Sequence, residues 1–267
     1  LEFILSSDKY LRLIMLVNNN NFKEALQQLK SSILETKSVV IDVETNGLDY
    51  DINQLCGIGI GDLKYNGVMQ YYPILHSGED RDQNLHKEHA TQLIEFLNSS
   101  ITTFIGYNIK FDLHFLAQEG LDCLNKTLID VIVMIRLIEH SEIKDLSLKD
   151  TGKRRYGIEA IQYDIDTKKI LKENKWTKDF SEAPIDILGE YCKEDINLTA
   201  RLYQDCVVKI KKTEQSNIFN LKCTLTKVLL EMEMLGISID KEYTLKTQQL
   251  LQIRLNELER EILKVSG

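Results

Sequence analysis

Two periods organise the apolar positions of this chain, and their order along it predicts the fold class. A 3.6-residue period marks helices at 20–35, 87–98, 109–119 and 130–140, while short β-branched or alternating runs mark strands at 37–43, 54–61, 65–72, 101–106 and 126–129. Strands two and three are joined by the Gly61-Asp62-Leu63-Lys64-Tyr65-Asn66 turn, so the sheet starts as three antiparallel strands. Strand and helix then alternate, which predicts β-α-β crossovers and an α/β chain with a mixed five-stranded sheet flanked by helices. Beyond 140 the strand signal stops, and 146–155, 164–175 and 184–212 read as helix or loop. A helical extension follows, an amphipathic stretch at 218–235 and a charged helix at 243–264. Leu250, Leu251, Leu255, Leu258 and Ile262 form one apolar stripe on that last helix.

Composition sharpens this picture in three places. The two prolines, at 73 and 184, and the lack of a Ser/Gly-rich stretch leave no compositional seam, so domain limits follow the pattern alone: 1–36 without a motif, 37–212, and 213–267. No apolar run approaches the roughly 20 residues of a membrane span. Leu11–Val17, followed by four asparagines, reads as a short strand or helix start, and no membrane role is expected. Cysteines at 56, 123, 192, 206 and 223 show neither CxxC nor zinc spacing, which predicts separate reduced thiols and a reducing compartment. The net charge of −8 argues against non-specific coating of nucleic acid. Locally, Lys149, Lys153, Arg154 and Arg155 cluster, with Lys168, Lys169, Lys172 and Lys175 close behind. Such a run is either a solvated face or, beside a site for a polyanion, a set of phosphate contacts, for which Lys149 and Arg154 are the candidates.

The chemistry lies in three short words. In Val39-Val40-Ile41-Asp42-Val43-Glu44, side chains two apart on a buried strand leave the same face, so Asp42 and Glu44 point together. Two like charges on an apolar strand require a compensating cation or partner. In Gly106-Tyr107-Asn108-Ile109-Lys110-Phe111-Asp112, a strand runs into a helix with Asn108 as the predicted N-cap and Asp112 in the first turns. In the third word, Tyr191 and Asp195 stand four apart on a helix starting near Pro184 and share one side of it.

In order and spacing these words resemble the three exonuclease motifs of the DEDD 3′–5′ exonucleases, tyrosine subclass. Asp42-x-Glu44, Asn108-x-x-x-Asp112 and Tyr191-x-x-x-Asp195 carry the likeness. Their surroundings, Glu44–Asp49, Gly106–Asp112 and Leu146–Asp150, are similar to the proofreading domain of family-A DNA polymerases, the bacterial DNA polymerase I group. Leu230–Asp240 and the charged helix after it look like that family's lead into the polymerase thumb. Such a resemblance implies a ribonuclease-H-like exonuclease fold over 37–212 and a truncated thumb over 213–267. It also implies catalysis by Asp42, Glu44, Asp112, Tyr191 and Asp195, with the four carboxylates holding two Mg²⁺ for which Mn²⁺ can substitute. Thr45 and Leu48 would touch the terminal nucleotide, with Asn108, Lys149 and Arg154 as further nucleic-acid contacts.

The implied substrate is a single-stranded DNA 3′ end or frayed primer terminus. A polymerase domain in cis would be the partner of an otherwise monomeric chain. No phosphate-cradling GxxxxGK[ST] word is present, so ATP-driven chemistry has no support. Palm and fingers motifs are not in these residues, and the chain is expected to be a piece of something longer. Abundant Ile, Asn and Lys fit a bacterial or phage-infected cytoplasm or an organelle such as a plastid. Two other readings share the fold: an exoribonuclease of the same class, with the same five residues, and a silent structural domain, against which the intact carboxylate set speaks.

Overall fold

The computed structural model describes residues 15–64, 67–139 and 143–266. Its sheet has strands β1 (Met15–Leu16), β2 (Ser38–Thr45), β3 (Leu55–Gly61), β4 (Met69–Pro73), β5 (Thr103–Gly106) and β6 (Thr127–Asp130), in the spatial order β1-β4-β3-β2-β5-β6. β2, β3 and β4 form the expected antiparallel meander, and β2-β5 and β5-β6 pair in parallel. The sheet has one strand more than expected. Met15 and Leu16 pair in parallel with Gln70 and Tyr71, and two bonded residues are too few to leave a period in the sequence. Residues 11–14 of the apolar run at 11–17, and Tyr65 and Asn66 of the predicted turn, lie outside the described residues.

Alternation along β2 divides the interior into two layers. Val39, Ile41 and Val43 face a core built with helices α1 (Phe22–Ser32), α2 (Lys87–Ser100) and α3 (Ile109–Gln118). Val40 faces the other way, with Tyr71 and Ile105, against α4 (Val131–Ile138), α5 (Leu148–Tyr156), α6 (Gln162–Glu173) and the long α7 (Ile185–Lys212). By the same alternation Asp42 and Glu44 lie on the α7 side. Of the residues before 37, the described ones from 15 on belong to this body, for Val17, Phe22, Ala25, Leu29 and Ile33 are buried in its first layer.

What brings α7 down onto the strands is a stripe of glycines. In the β2–β3 register Gly61, Gly59 and Gly57 stand opposite Val40, Asp42 and Glu44, hence on the same face. A Cβ at Gly59 would lie 2.3 Å from Cys192 Sγ and 2.7 Å from Ile196 Cδ1, and one at Gly61 would lie 2.7 Å from Ile196 Cγ2. Cys192 and Ile196 each follow a motif residue of α7, so the missing methyls set how close Tyr191 and Asp195 come to Asp42 and Glu44. Over β3 the run Leu55-Cys56-Gly57-Ile58-Gly59-Ile60-Gly61 thus buries aliphatic groups on one face and admits a helix on the other.

Helix α8 (Ser216–Leu235) buries Phe219, Cys223, Thr226 and Leu230, and the first compact body ends inside it, at Glu231. The second body holds the end of α8, a turn at Gly236 (φ +68°) and α9 (Lys241–Ser266). Among the described residues no helix is long and apolar enough to cross a membrane.

Candidate active site

A cavity of about 440 Å³ opens over the ends of β2 and β5, and the residues of all three words line it: Asp42, Glu44, Asn108, Asp112, Tyr191 and Asp195. Thr45, Leu48, Tyr107, Phe111, Lys178 and Phe180 complete most of its wall. Asp42 is half-buried on β2, whereas Glu44, Asp112 and Asp195 are buried. Asp112, from the first turn of α3, accepts a hydrogen bond from the Val43 N–H at 3.1 Å, which fixes its carboxylate against the backbone between Asp42 and Glu44.

Burial dominates the electrostatics. It pushes the Asp42 carboxyl up to about 6, with the Lys149 ammonium and the Cys192 thiol pulling it back. Glu44 is raised well above the ordinary carboxylate range by burial and then by Asp42, and Asp112 by burial and then by the same neighbour. Three acids whose charged forms disfavour one another in one cavity make a candidate cation site. Carboxylate oxygens are the donors that Mg²⁺ and Mn²⁺ prefer, so the donor set fits such ions. Among the described residues, Asp42, Glu44 and Cys192 bring ligand atoms within 4.8 Å of one another, while Asp112 and Asp195 face the same cavity outside that tight group. Cys192, one of five reduced cysteines, is not an isolated thiol: its Sγ donates to Asp42 Oδ2 at 3.5 Å and rests on Gly59.

Lys149, on the first turn of α5, reaches into this acidic wall. It ion-pairs with Asp195, stands 3.0 Å from Tyr163 Oη, and lies over the rings of Tyr163 and Tyr191 at 4.7 and 4.5 Å. Burial pulls its ammonium down to about 8, against the pull of Asp42, Asp164 and Glu44. Tyr163 also donates to Asp195. Arg154 is placed elsewhere: it pairs with Glu139 and donates to the Asp145 carbonyl at 3.0 Å, outside the cavity lining.

Asn108 departs from the cap expected of it. Its side chain makes no capping bond, and its backbone is left-handed (φ 59°, ψ 43°), a conformation that asparagine tolerates better than most residues. The turn is held instead by Asp130, at the end of β6, which accepts from the Asn108 N–H at 2.9 Å and from the Ile132 N–H at 3.2 Å as the N-cap of α4. Tyr107 fastens the same corner to the lead into α5, donating to the Leu146 carbonyl at 2.6 Å, and lies 2.8 Å from Thr151 Oγ1 of that helix.

Beyond Glu44 the loop is cross-linked by its own side chains. Thr45 Oγ1 donates to the Gly47 carbonyl at 2.7 Å, Asn46 Oδ1 accepts from Gln54 N–H at 2.7 Å, and Tyr50 stacks on His114 of α3 with 3.8 Å between ring centres. Leu48 is thereby held out on the rim, 83% exposed, which excludes a core role. Sequence reasoning missed Asp164, Tyr163 and Lys178. The first two had no signal of their own beside the motif words, and Lys178 stands apart from the basic clusters on a short 3-10 turn at Trp176–Lys178.

A family model described as 3′–5′ exonuclease matches residues 18–211. DNA polymerase I of Borreliella burgdorferi is 27% identical over 246 residues, 92% of this chain and 25% of that protein. The DNA polymerase I of Synechocystis is 26% identical over 250 residues, 91% and 24% of the two chains. The chain therefore spans about a quarter of the length of the curated relatives it matches. Among solved structures, Escherichia coli RNase D, an exoribonuclease involved in structured RNA processing, superposes with a TM-score of 0.57 over 82% of this chain and 51% of that one, at 12% identity. That last likeness is one of fold alone.

Proposed function

Because this chain belongs to the 3′–5′ exonuclease family of family-A DNA polymerases, we propose that it removes the 3′-terminal nucleotide of single-stranded DNA by metal-assisted hydrolysis and releases 5′-mononucleotides. Its six-stranded mixed sheet with flanking helices is the ribonuclease-H-like exonuclease fold. The observation that carries the proposal is the convergence of Asp42, Glu44, Asp112, Asp195 and Tyr191 on one cavity.

Asp42, Glu44, Asp112 and Asp195 would hold two Mg²⁺, with Mn²⁺ able to substitute. Bound there, divalent ions neutralise charge developing on the phosphate and make water a better acid. The chain's own groups do the rest. Tyr191 and Glu44 orient the attacking water, Leu48 and Phe111 flank the terminal nucleoside, and Thr45 and Asn108 on the cavity wall, with Lys149 behind Asp195, are the proposed sugar and phosphate contacts. Arg154 takes part only by giving up Glu139.

Relatives that are DNA polymerases support a proofreading role beside a polymerase domain in cis, with a primer terminus as substrate. The fold of an exoribonuclease keeps RNA as the comparison substrate, and the complete carboxylate set speaks against a silent domain. The test uses end-labelled DNA and RNA strands of one sequence, with Mg²⁺ or with chelator. DNA shortened from its 3′ end only with Mg²⁺, at a rate that falls by orders of magnitude in an Asp42→Asn, Glu44→Gln double variant, is the expected result. Unchanged cleavage by that variant, or RNA degraded in preference to DNA, overturns the proposal.

A further inference from the structure

Tyr191 does not stand alone on the cavity wall. Its hydroxyl donates to Asp164 Oδ1 at 2.9 Å, and Asp164 Oδ2 accepts from Lys168 Nζ, also at 2.9 Å. Asp164 lies in the first turn of α6, only 5% exposed, and is absent from the cavity lining that Tyr191 shares with Asp42, Glu44 and Asp195. The Tyr163 ring packs against Tyr191 at 5.8 Å between centres, and the Lys149 ammonium lies over both rings. The phenol is therefore braced on its faces and tied at its tip.

We propose that Asp164 is a positioning residue that sets the hydrogen-bond polarity of Tyr191. This inference rests on the nuclease reading given above. A phenol has one proton to give, and a carboxylate only accepts. With that proton committed to Asp164, Tyr191 presents lone pairs to the cavity and acts there as an acceptor. A water near it then turns a hydrogen toward the phenol and leaves its own lone pair free for phosphorus, the orientation that in-line attack requires.

The two oxygens of Asp164 serve two donors on separate sides, Tyr191 and Lys168, whereas an amide has one acceptor oxygen and turns its NH₂ group to the other side. In Asp164→Asn the lysine takes the oxygen and the NH₂ group faces the phenol. Tyr191 then turns its proton into the cavity, where it binds the lone pair that should attack. Asparagine is thus the right size with the wrong polarity.

The test is a double-mutant cycle on single-turnover cleavage of single-stranded DNA with Mg²⁺, in parent, Asp164→Asn, Tyr191→Phe and the double variant, each checked by thermal melting. Asp164→Asn should lower the rate at saturating DNA by roughly tenfold or more with KM unchanged, and should add nothing once Tyr191 is Phe. Asp164→Glu, which keeps a pure acceptor, should retain more activity than Asp164→Asn. It also serves if the asparagine variant does not fold. A second readout needs no cleavage: the Tyr191 Cζ resonance of tyrosine-labelled protein, identified by its loss in Tyr191→Phe, should move in Asp164→Asn. Multiplicative losses in the double variant, or Asp164→Asn at the parent rate, overturn the role of Asp164. A parent that leaves DNA intact with Mg²⁺ overturns the nuclease reading and this inference with it, whereas an active parent with an additive cycle overturns this inference alone.

Discussion

Replacing Asp42 by Asn should stabilise the protein in the absence of divalent cations while abolishing cleavage. The carboxyl of Asp42 is raised from 3.8 to about 6, chiefly by burial, with the raised Glu44 and Asp112 in the same cavity. At about 1.4 kcal/mol per pH unit, holding Asp42 ionised costs the folded state at most about 3 kcal/mol. Partial exposure and shared titration with Glu44 reduce this to about 1–2 kcal/mol. The sign follows from linkage. A carboxyl whose folded value lies above its unfolded one contributes no cost below about pH 4, and the whole cost above about pH 6, so the parent loses stability as pH rises through that window. Asparagine removes the cost, keeps the shape and still accepts from Cys192, and Lys149 keeps its pair with Asp195. For a body of this size the gain corresponds to about 3–6 °C in melting temperature at pH 8 with chelator, shrinking to nothing near pH 4. Added Mg²⁺ should raise the melting temperature of the parent more than that of the variant. Circular dichroism melts at both pH values, with EDTA or Mg²⁺, read all of these shifts. An Asp42→Asn protein that melts at or below the parent at pH 8 in EDTA, or that keeps the same advantage at pH 4, would refute the burial argument.

Three further outcomes test the geometry. Gly59→Ala places a methyl against Cys192 and Ile196; it should cost about 1–3 kcal/mol in urea unfolding and lower cleavage further than lost stability explains, because α7 must lift off the acids it faces. Leu48→Ala, at an exposed rim position, should leave the melting temperature unchanged and raise KM for single-stranded DNA several-fold, whereas a core leucine would cost about 2–5 kcal/mol of stability. For Lys149, held down to about 8, positive charge is lost as pH rises through that value. DNA affinity by fluorescence anisotropy at constant salt should accordingly weaken between pH 7 and 9 in the parent, and should be weaker but flat in Lys149→Met.

Much of the site was readable because its parts are local. Asp42 and Glu44 two apart on a strand, and Tyr191 and Asp195 four apart on a helix, needed only the periods of those elements to share a face, and the structure places both pairs on the cavity. The helix from Ile109 and the crossovers through β5 and β6 followed from periodicity in the same way. Asn108 was readable as the residue that starts a helix but not as a left-handed one, because the group fixing its turn, Asp130, lies 22 residues away. Arg154 was readable as a cation and not as the partner of Glu139, 15 residues before it.

The sequence by itself determined which side chains are acidic, which elements carry them and which face each occupies, since backbone geometry imposes those relations within a few residues. Only the tertiary structure decided how the elements meet: that two residues at Met15 form a sixth strand, that bare glycines on β3 let α7 settle beside Asp42, that Lys149 reaches Asp195, and that Asp164 holds the proton of Tyr191. Those relations join residues 27 to 150 positions apart. Packing density and the pairing of buried polar groups select them, and neither leaves a period in the chain.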